Sequence, residues 1–191
     1  MYKTASINYQ KSKNIIQVKN FYNLMKPRVM SLVVFTALVG LVISKNQIDL
    51  VSSVLALFFV AAGAGAAGAL NMWYDSEIDA IMSRTCLRPI PLGKISNNQA
   101  LYFGIFLTLV SVIGLYFVSN ILSASILALT ISFYIFVYTI WLKRRSVQNI
   151  VIGGAAGAFP PVIGWTISNN SLSIEPPPPP TNWSTVSLNS V

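Results

Sequence analysis

The sequence contains little charge, few acidic residues and no histidine. Only 9% of its 191 residues are charged, five residues are acidic, and 54% are hydrophobic. An ordinary soluble domain carries about 25% charged residues. This composition therefore excludes an ordinary soluble domain and indicates an integral membrane protein.

Cysteine is also nearly absent, since Cys86 is the only one. A single cysteine excludes an internal disulfide, and we expect Cys86 to be a small loop residue. A compact apolar core is missing from the first 28 residues, which are polar and contain several lysines, so no signal peptide is expected. We interpret residues 1–20 as a polar N-terminal leader and residues 21–26 as an interfacial lead-in to the first span.

Four long apolar stretches, in contrast, are present at residues 29–44, 50–74, 101–119 and 121–142. Each is close to the roughly 20 residues that a helix needs to cross a bilayer. A fifth stretch, 150–167, is shorter and contains Pro160 and Pro161, which should break or kink a helix. Such breaks are tolerated where they line a cavity, although a purely structural kink is an equal alternative. The predicted fold class is all-α, a polytopic transmembrane helical bundle.

The net charge of +8 would fit a nucleic-acid-binding protein, but the positions of the basic residues argue against it. If the chain crosses five times, twelve of the thirteen basic residues lie on one side of the membrane, and only Lys45 lies on the other. The twelve are Lys3, Lys11, Lys13, Lys19, Lys26, Arg28, Arg84, Arg88, Lys94, Lys143, Arg144 and Arg145. This is the cytoplasmic bias of a membrane protein with its N-terminus inside, so no nucleic-acid partner is expected.

The final stretch, residues 176–191, reads PPPPPTNWSTVSLNSV. It is neither apolar enough to span a membrane nor patterned enough to fold, which predicts an extended proline run followed by a disordered tail. The predicted organisation is thus a leader at 1–20, a membrane domain at 21–175 and a proline-rich tail at 176–191.

A polar stripe follows from the spacing of Asn71, Asp75 and Asp79, which are four residues apart. On a helix each step of four advances about 40 degrees, so the three share one face, while Glu77 points away. Their ligands are oxygens only, which favours Mg²⁺ over zinc or copper. Mg²⁺ usually completes its shell with water and substrate phosphates, which predicts a phosphorylated ligand. The alternative is that these charges only solvate a helix end.

Basic residues in two loops return to the same predicted face as this stripe. Guanidinium groups bind phosphate oxygens in a bidentate way, and lysine acts as a point charge. Together with a metal they would hold a diphosphate. The alternative is that they serve membrane topology alone. The residues are Arg84, Arg88 and Lys94 in the first loop and Lys143, Arg144 and Arg145 in the second.

Several segments carry a family resemblance. NMWYDSEIDA resembles the NxxxDxxxD motif of the intramembrane prenyltransferases of the UbiA superfamily. FYNLMKPRVMSLVVFTALVGL, RTCLRPIPLGKI and YTIWLKRRSVQNIVIGGAAGAFPPVIGW are similar to one branch of it, the protoheme IX farnesyltransferases or haem O synthases. The motif alone would give only the superfamily, and the last segment is the specific part. The resemblance covers residues 21–165.

The resemblance implies a helical bundle around a lipid-open cavity, with farnesyl diphosphate and haem B as substrates and haem O as product. It implies Mg²⁺ as cofactor, a bacterial inner membrane or its mitochondrial equivalent, and hand-off to haem A synthase or terminal-oxidase assembly. It assigns Asn71, Asp75 and Asp79 to catalysis and Mg²⁺ binding, and Lys26, Arg28, Arg84, Arg88, Lys143 and Arg144 to diphosphate binding. Tyr74, Tyr138 and Trp141 would shield an allylic cation, or else form an interfacial belt.

The chain also departs from that family. Its five predicted spans, at roughly 20 residues each, compare with the family's usual nine. Beyond residue 165 the family has a second aspartate-rich motif and a histidine, whereas here Glu175 is the only later acidic residue. We therefore expect a truncated or frameshifted chain that is inactive alone. The alternatives are a prenyltransferase of a quinone precursor, a non-catalytic membrane fragment and, less favoured, a transporter.

Overall fold

The computed structural model describes residues 17–44, 48–143, 145 and 149–172, and within these ranges the chain is helical or in turns, with no strand. This confirms the predicted all-α class. The helices are α1 (Gln17–Leu24), α2 (Pro27–Ile43), α3 (Leu50–Tyr74), α4 (Ser76–Ile81), α5 (Asn97–Val118), α6 (Ile121–Ser132), α7 (Asn149–Ala156) and α8 (Phe159–Asn169). Helix α6 continues directly into a π-helical segment, Phe133–Leu142.

Three helical stretches of the described chain are long and apolar enough to cross a membrane: Leu50–Tyr74, Asn97–Val118 and Ile121–Leu142. Helices α1 and α2 meet at a bend of 53° and would make a fourth span if they act together. These lengths and compositions indicate a multi-pass membrane protein. Large apolar side chains on the outside of the bundle fit a lipid environment, including Phe35, Phe106 and Phe117.

The fifth predicted span, 150–167, is not one helix but two short ones, α7 and α8. The predicted break is confirmed, and it falls at the turn of Gly157 and Ala158. Pro160 therefore lies in the first turn of α8, where the missing N–H of a proline is tolerated. By length, the described residues hold three or four spans instead of the expected five.

The last four residues of the predicted leader are helical. Helix α1 (Gln17–Leu24) overlaps the predicted leader 1–20, and both Asn20 and Leu24 are buried. Leu24 packs against the bundle, since it belongs to a cluster with Ala69 and Met72 of α3. Residues 1–16 of the leader and the whole predicted tail 176–191 lie outside the described residues.

Side-chain caps define the starts of three helices. The Asp49 carboxylate accepts the N–H groups of Val51 and Ser52 at the start of α3. Ser96 and Gln99 form a reciprocal capping box at α5. Asn120 accepts the Ser123 N–H at 2.8 Å at α6. These contacts satisfy N–H groups that have no partner within the helix.

Helix α3 lies at the centre, in contact with α2, α5, α6 and the π-helical segment. Helix α2 also packs closely against α8, because glycines sit where the two backbones touch. A Cβ on Gly40 would collide with the Pro161 carbonyl, and one on Gly164 would collide with the Ala37 carbonyl. Small residues allow helix backbones to approach closely in lipid, where packing replaces the hydrophobic effect.

Candidate functional site

The three residues of the predicted polar stripe are all buried, where α3 ends and α4 follows. Asn71, Asp75 and Asp79 are 3%, 1% and 3% exposed. Helix α3 ends at Tyr74, but the Asp75 N–H bonds to the Asn71 carbonyl at 3.0 Å and the Asp79 N–H to the Asp75 carbonyl at 2.8 Å. The helical register therefore continues from α3 into α4, and Glu77 is exposed, as its spacing predicted.

Three cations from three separate parts of the chain contact this stripe. Lys143, which follows the π-helical segment, pairs with Asp75 Oδ2. Lys26, at the bend between α1 and α2, donates from Nζ to Asn71 Oδ1. Arg88, in the loop after α4, donates to Asp79 Oδ2 at 2.5 Å. Residues far apart in sequence thus form one site.

The charges of this site act on one another. Arg88 pairs with Asp79, Lys143 pairs with Asp75, and Lys26 bonds to Asn71, which itself bonds to Asp75. Three cations against two carboxylates leave one net positive charge in a partly buried site. Electrostatic interactions are stronger there than in water, so the site is suited to an anion.

Two of the six predicted diphosphate ligands are not in this cluster. Arg28 and Arg84 are exposed at the surface. Arg144 lies outside the described residues. The cluster therefore contains Lys26, Arg88 and Lys143 of the predicted set.

The sequence interpretation missed Thr139, which lies within the π-helical segment and is fully buried. Its hydroxyl donates to the Tyr134 carbonyl at 2.9 Å and accepts the Asn71 Nδ2 group at 3.2 Å. The available signal was its position four residues before Lys143, which places both on one side of a helix. A single threonine in an apolar run is usually satisfied by its own helix, so this signal was weak.

One acceptor of the site is unsatisfied. Asp75 Oδ1 is buried and has no hydrogen-bond partner among the described residues. A buried polar atom without a partner costs free energy, about 1–3 kcal/mol. The oxygen is therefore ready to accept a cation or a donor that comes with a ligand.

The donor set fits a hard cation that takes only part of its shell from protein. Within the part of the chain that the structure describes, no three His, Cys, Asp or Glu residues converge on a common metal position. The available ligands are the oxygens of Asn71, Asp75 and Asp79. Mg²⁺ accepts such a set, because it retains waters and binds phosphate oxygens.

An apolar cavity of about 300 Å³ adjoins this cluster. Lys26 belongs to both, because it lines the cavity and bonds to Asn71. Small residues of α3 line one wall from Gly68 to Val60, which spans about 12 Å along the helix. A long apolar wall with few polar groups at one end suits an extended apolar ligand with a charged head.

The position of the cavity bears on the aromatic residues that were predicted to shield an allylic cation. Tyr134 lines it and stacks on Tyr138, with ring centroids 5.2 Å apart. Trp141 is 58% exposed and is not among the cavity-lining residues. Tyr74 is partly buried and packs against Trp73. Among the residues that the structure describes, Tyr134, which the sequence interpretation did not select, is thus the aromatic side chain that lines the cavity.

Fold and site together define a class: a multi-pass helical membrane protein with a carboxylate and cation cluster beside an elongated apolar cavity. The sequence model of the UbiA prenyltransferase family matches residues 33–188. The chain therefore belongs to the UbiA prenyltransferase family.

Three curated relatives are named as protoheme IX farnesyltransferases. The chain is 59% identical to the protoheme IX farnesyltransferase of Pelagibacter ubique over 171 residues, which covers 87% of the chain and 56% of the relative. It is 59% identical to that of Rhizobium etli over 157 residues, covering 82% and 50%. It is 58% identical to protoheme IX farnesyltransferase 2 of Mesorhizobium japonicum over 156 residues, covering 82% and 50%. The chain thus spans about half the length of these relatives.

Proposed function

We propose that this chain contributes the diphosphate-binding part of a protoheme IX farnesyltransferase, which transfers a farnesyl group from farnesyl diphosphate to a vinyl group of haem B and forms haem O for terminal oxidases. The observation that carries the proposal is the buried cluster of Asn71, Asp75 and Asp79 with three cations, joined through Lys26 to an apolar cavity. The name shared by the relatives supports the haem acceptor.

The proposed cofactor is Mg²⁺. Asp75, through its unpartnered Oδ1, would hold it together with Asp79 and the Asn71 carboxamide oxygen. When bound, the ion draws negative charge away from the diphosphate and makes it a better leaving group. Lys26, Arg88 and Lys143 would then turn from the stripe to phosphate oxygens, since cations bind phosphate as they bind carboxylates.

The reaction begins as the bond between C1 of the farnesyl group and the diphosphate oxygen breaks, and the electron pair leaves with diphosphate. Lys26, Arg88 and Lys143 stabilise the charge that develops on the leaving group. The electron-rich vinyl group of haem forms a new carbon–carbon bond to C1, and the resulting cation takes up water and loses a proton. The product is haem O with its hydroxyfarnesylethyl substituent. Tyr134 beside the cavity would stabilise the allylic cation through its ring face.

We further propose a bacterial inner membrane, or the mitochondrial equivalent, with the N-terminus in the cytoplasm. The sorting of basic residues by loop supports this orientation. Haem O would then pass to haem A synthase or to terminal-oxidase assembly in the same membrane.

The test uses a bacterial strain without haem O synthase, in which the chain is co-expressed with the C-terminal half of the Pelagibacter ubique relative. Extracted haems are separated by chromatography. We expect to detect haem O in cells with the native chain, and haem B alone in cells with Asp75→Asn. Haem B alone in both would contradict the proposal. Labelled farnesyl on a quinone precursor with unmodified haem would show a different acceptor instead.

The binding part of the proposal is tested on the chain itself in lipid nanodiscs. Farnesyl diphosphate should bind in the presence of Mg²⁺ and lose affinity when the ion is chelated or when Asp75 is replaced by Asn. Equal binding by both forms under all conditions would favour a non-catalytic membrane fragment.

A further inference from the structure

The π-helical segment brings two side chains to the same site: Thr139, which lies within it, and Lys143, which directly follows it. The Thr139 hydroxyl reaches the Tyr134 carbonyl, five residues earlier, and the Lys143 N–H bonds to the Tyr138 carbonyl, also five residues earlier. Thr139 then contacts Asn71, and Lys143 contacts Asp75. Wide helical turns of this kind occur often at functional sites.

The hydrogen bonds around Asn71 fix the direction of its carboxamide. Its Nδ2 group donates to Asp75 Oδ2 at 3.0 Å and to Thr139 Oγ1 at 3.2 Å. Thr139 has one hydroxyl hydrogen, and that hydrogen is donated to the Tyr134 carbonyl. Towards Asn71 the hydroxyl can therefore only accept.

A reversed carboxamide would be disfavoured on both sides. Its Oδ1 would face a carboxylate oxygen of Asp75 and the lone pairs of Thr139, and no donor is available from either. In the observed orientation Oδ1 accepts from Lys26 instead, at the residue that also lines the cavity. The acceptor atom of Asn71 is thus directed to the side where a cation or diphosphate would enter.

We propose that Thr139 is a positioning residue, whose hydroxyl holds the Asn71 carboxamide with Oδ1 directed at the bound cation. This inference rests on the proposed function, because that function assigns Asn71 to the cation. Thr139 itself does not contact the bound cation or the diphosphate. It acts by accepting one of the two Asn71 Nδ2 hydrogens, while Asp75 accepts the other.

Removal of the hydroxyl leaves one Nδ2 hydrogen of Asn71 without a buried acceptor, so the carboxamide loses its fixed orientation. Groups that orient a metal ligand typically change metal affinity by about 10- to 100-fold when they are replaced. Thr139→Val keeps the size of the side chain and removes the hydroxyl, whereas Thr139→Ser keeps the hydroxyl. Comparison of the two variants separates the effect of losing the hydrogen bond from the effect of changing the side-chain volume.

The experiment titrates the chain in lipid nanodiscs with Mn²⁺ and inorganic diphosphate, and follows free Mn²⁺ by electron paramagnetic resonance. Mn²⁺ is chosen because it prefers the same oxygen ligands as Mg²⁺. Thr166→Val is the matched control, since Thr166 is also fully buried and its hydroxyl bonds to the Ile163 carbonyl at 3.0 Å, in a network with Ser123 near the start of α6. Thermal unfolding is recorded for each variant.

The expected result is an affinity about tenfold or more below that of the native chain for Thr139→Val, with near-native affinity for Thr139→Ser and Thr166→Val. If Thr139→Val does not fold, Thr139→Cys replaces it with the same expectation, because a thiol is a weak acceptor.

Three results would overturn the inference. Native affinity in Thr139→Val with loss of binding in Asp75→Asn would reject Thr139 and leave the proposed function intact. Equal losses in Thr139→Val and Thr166→Val would mean that the hydroxyl has only a structural role. Absence of Mn²⁺ binding by the native chain would reject the cation site and, with it, the role of Thr139.

Discussion

Asp75 connects most of the site. Its Oδ2 atom contacts both Lys143 and Asn71, while its Oδ1 atom is buried without a partner in the described chain. A buried carboxylate is tolerated only when a nearby cation offsets the loss of its hydration. The stability of this end of the bundle and its capacity for a cation therefore depend on the same side chain.

Replacement of Lys143 by Met should destabilise the protein, because Asp75 would remain buried without its ion pair. We expect a loss of about 2 kcal/mol, less than for a fully buried pair because the Lys143 side chain is 35% exposed. Added Mg²⁺ should recover more stability in Lys143→Met than in the native chain, since the ion would replace the lost charge. Thermal unfolding in nanodiscs, with and without Mg²⁺, measures both effects. An equal response of the two proteins to Mg²⁺ would contradict a cation at Asp75.

Two arginines of one loop provide a matched pair at the residue scale. Arg88 is bonded to Asp79 within the cluster, whereas Arg84 is exposed. Arg88→Ala should lower the affinity for inorganic diphosphate about tenfold, the effect of losing one charge-assisted hydrogen bond. Arg84→Ala should leave it within about twofold, since exposed charges contribute little. Calorimetric titration checks both, and equal losses would mean that the cation cluster is wrongly assigned.

At the scale of elements, α3 has two functions in one helix. Its last turn carries Asn71, the first residue of the polar stripe, and its residues from Val60 to Gly68, mostly glycine and alanine, form a wall of the cavity. Large residues at these positions would fill the cavity. The composition of α3 thus leaves room for an apolar chain that extends from the charged cluster into the bundle.

Gly63 is the position at which this room can be tested. A Cβ there would lie 2.9 Å from Leu127 Cδ1 and 3.3 Å from Ile131 Cδ1, both ends of flexible side chains. Gly63→Leu should therefore fold and fill the cavity. We expect it to weaken binding of farnesyl diphosphate about tenfold or more, since roughly 1.5–3 kcal/mol of apolar burial is lost.

Binding of inorganic diphosphate to Gly63→Leu should stay unchanged, because the charged cluster is untouched. Gly154→Leu is the control, as a Cβ at Gly154 meets nothing within 4 Å. Competition between the two ligands on each variant measures the difference. A parallel loss of both ligands in Gly63→Leu would place the apolar chain elsewhere.

At the scale of the whole molecule, the two ends of the bundle differ in their polar contacts. Ser44, at the end of α2, bonds to Ser168 and Asn169 of α8, and Asn120 bonds to the Thr166 carbonyl. The ends of α2 and α8 and the start of α6 therefore lie together. The charged cluster lies at the other end, after α3 and after the π-helical segment.

This arrangement predicts the membrane orientation of specific positions. In a Cys86→Ser background, Leu172→Cys should react with a membrane-impermeant maleimide added outside intact cells, because Leu172 follows α8 and is exposed. Lys94→Cys should react only after the membrane is opened, since its loop belongs to the basic side, which we propose to be cytoplasmic. Mass spectrometry of the labelled chain gives the result. The reverse pattern would mean that the N-terminus is outside.

The sequence alone determined the helical class, the membrane environment and the polar stripe. Long hydrophobic runs must avoid water, and a spacing of four places residues on one helical face, so all three features follow from local sequence pattern. The prolines of the last predicted span likewise predicted that this span is broken. These are properties of neighbouring residues, which need no knowledge of the rest of the chain.

Only the tertiary structure decided which cations join the stripe. Lys26, Arg88 and Lys143 come from three separate parts of the chain, and Arg28 and Arg84 have the same charge but are exposed. The bend between α1 and α2 brings Lys26 to Asn71, and the π-helical segment brings Thr139 to the same residue. Such contacts depend on helix packing and on a local change of helical turn, and neither can be read from charge or spacing in the sequence.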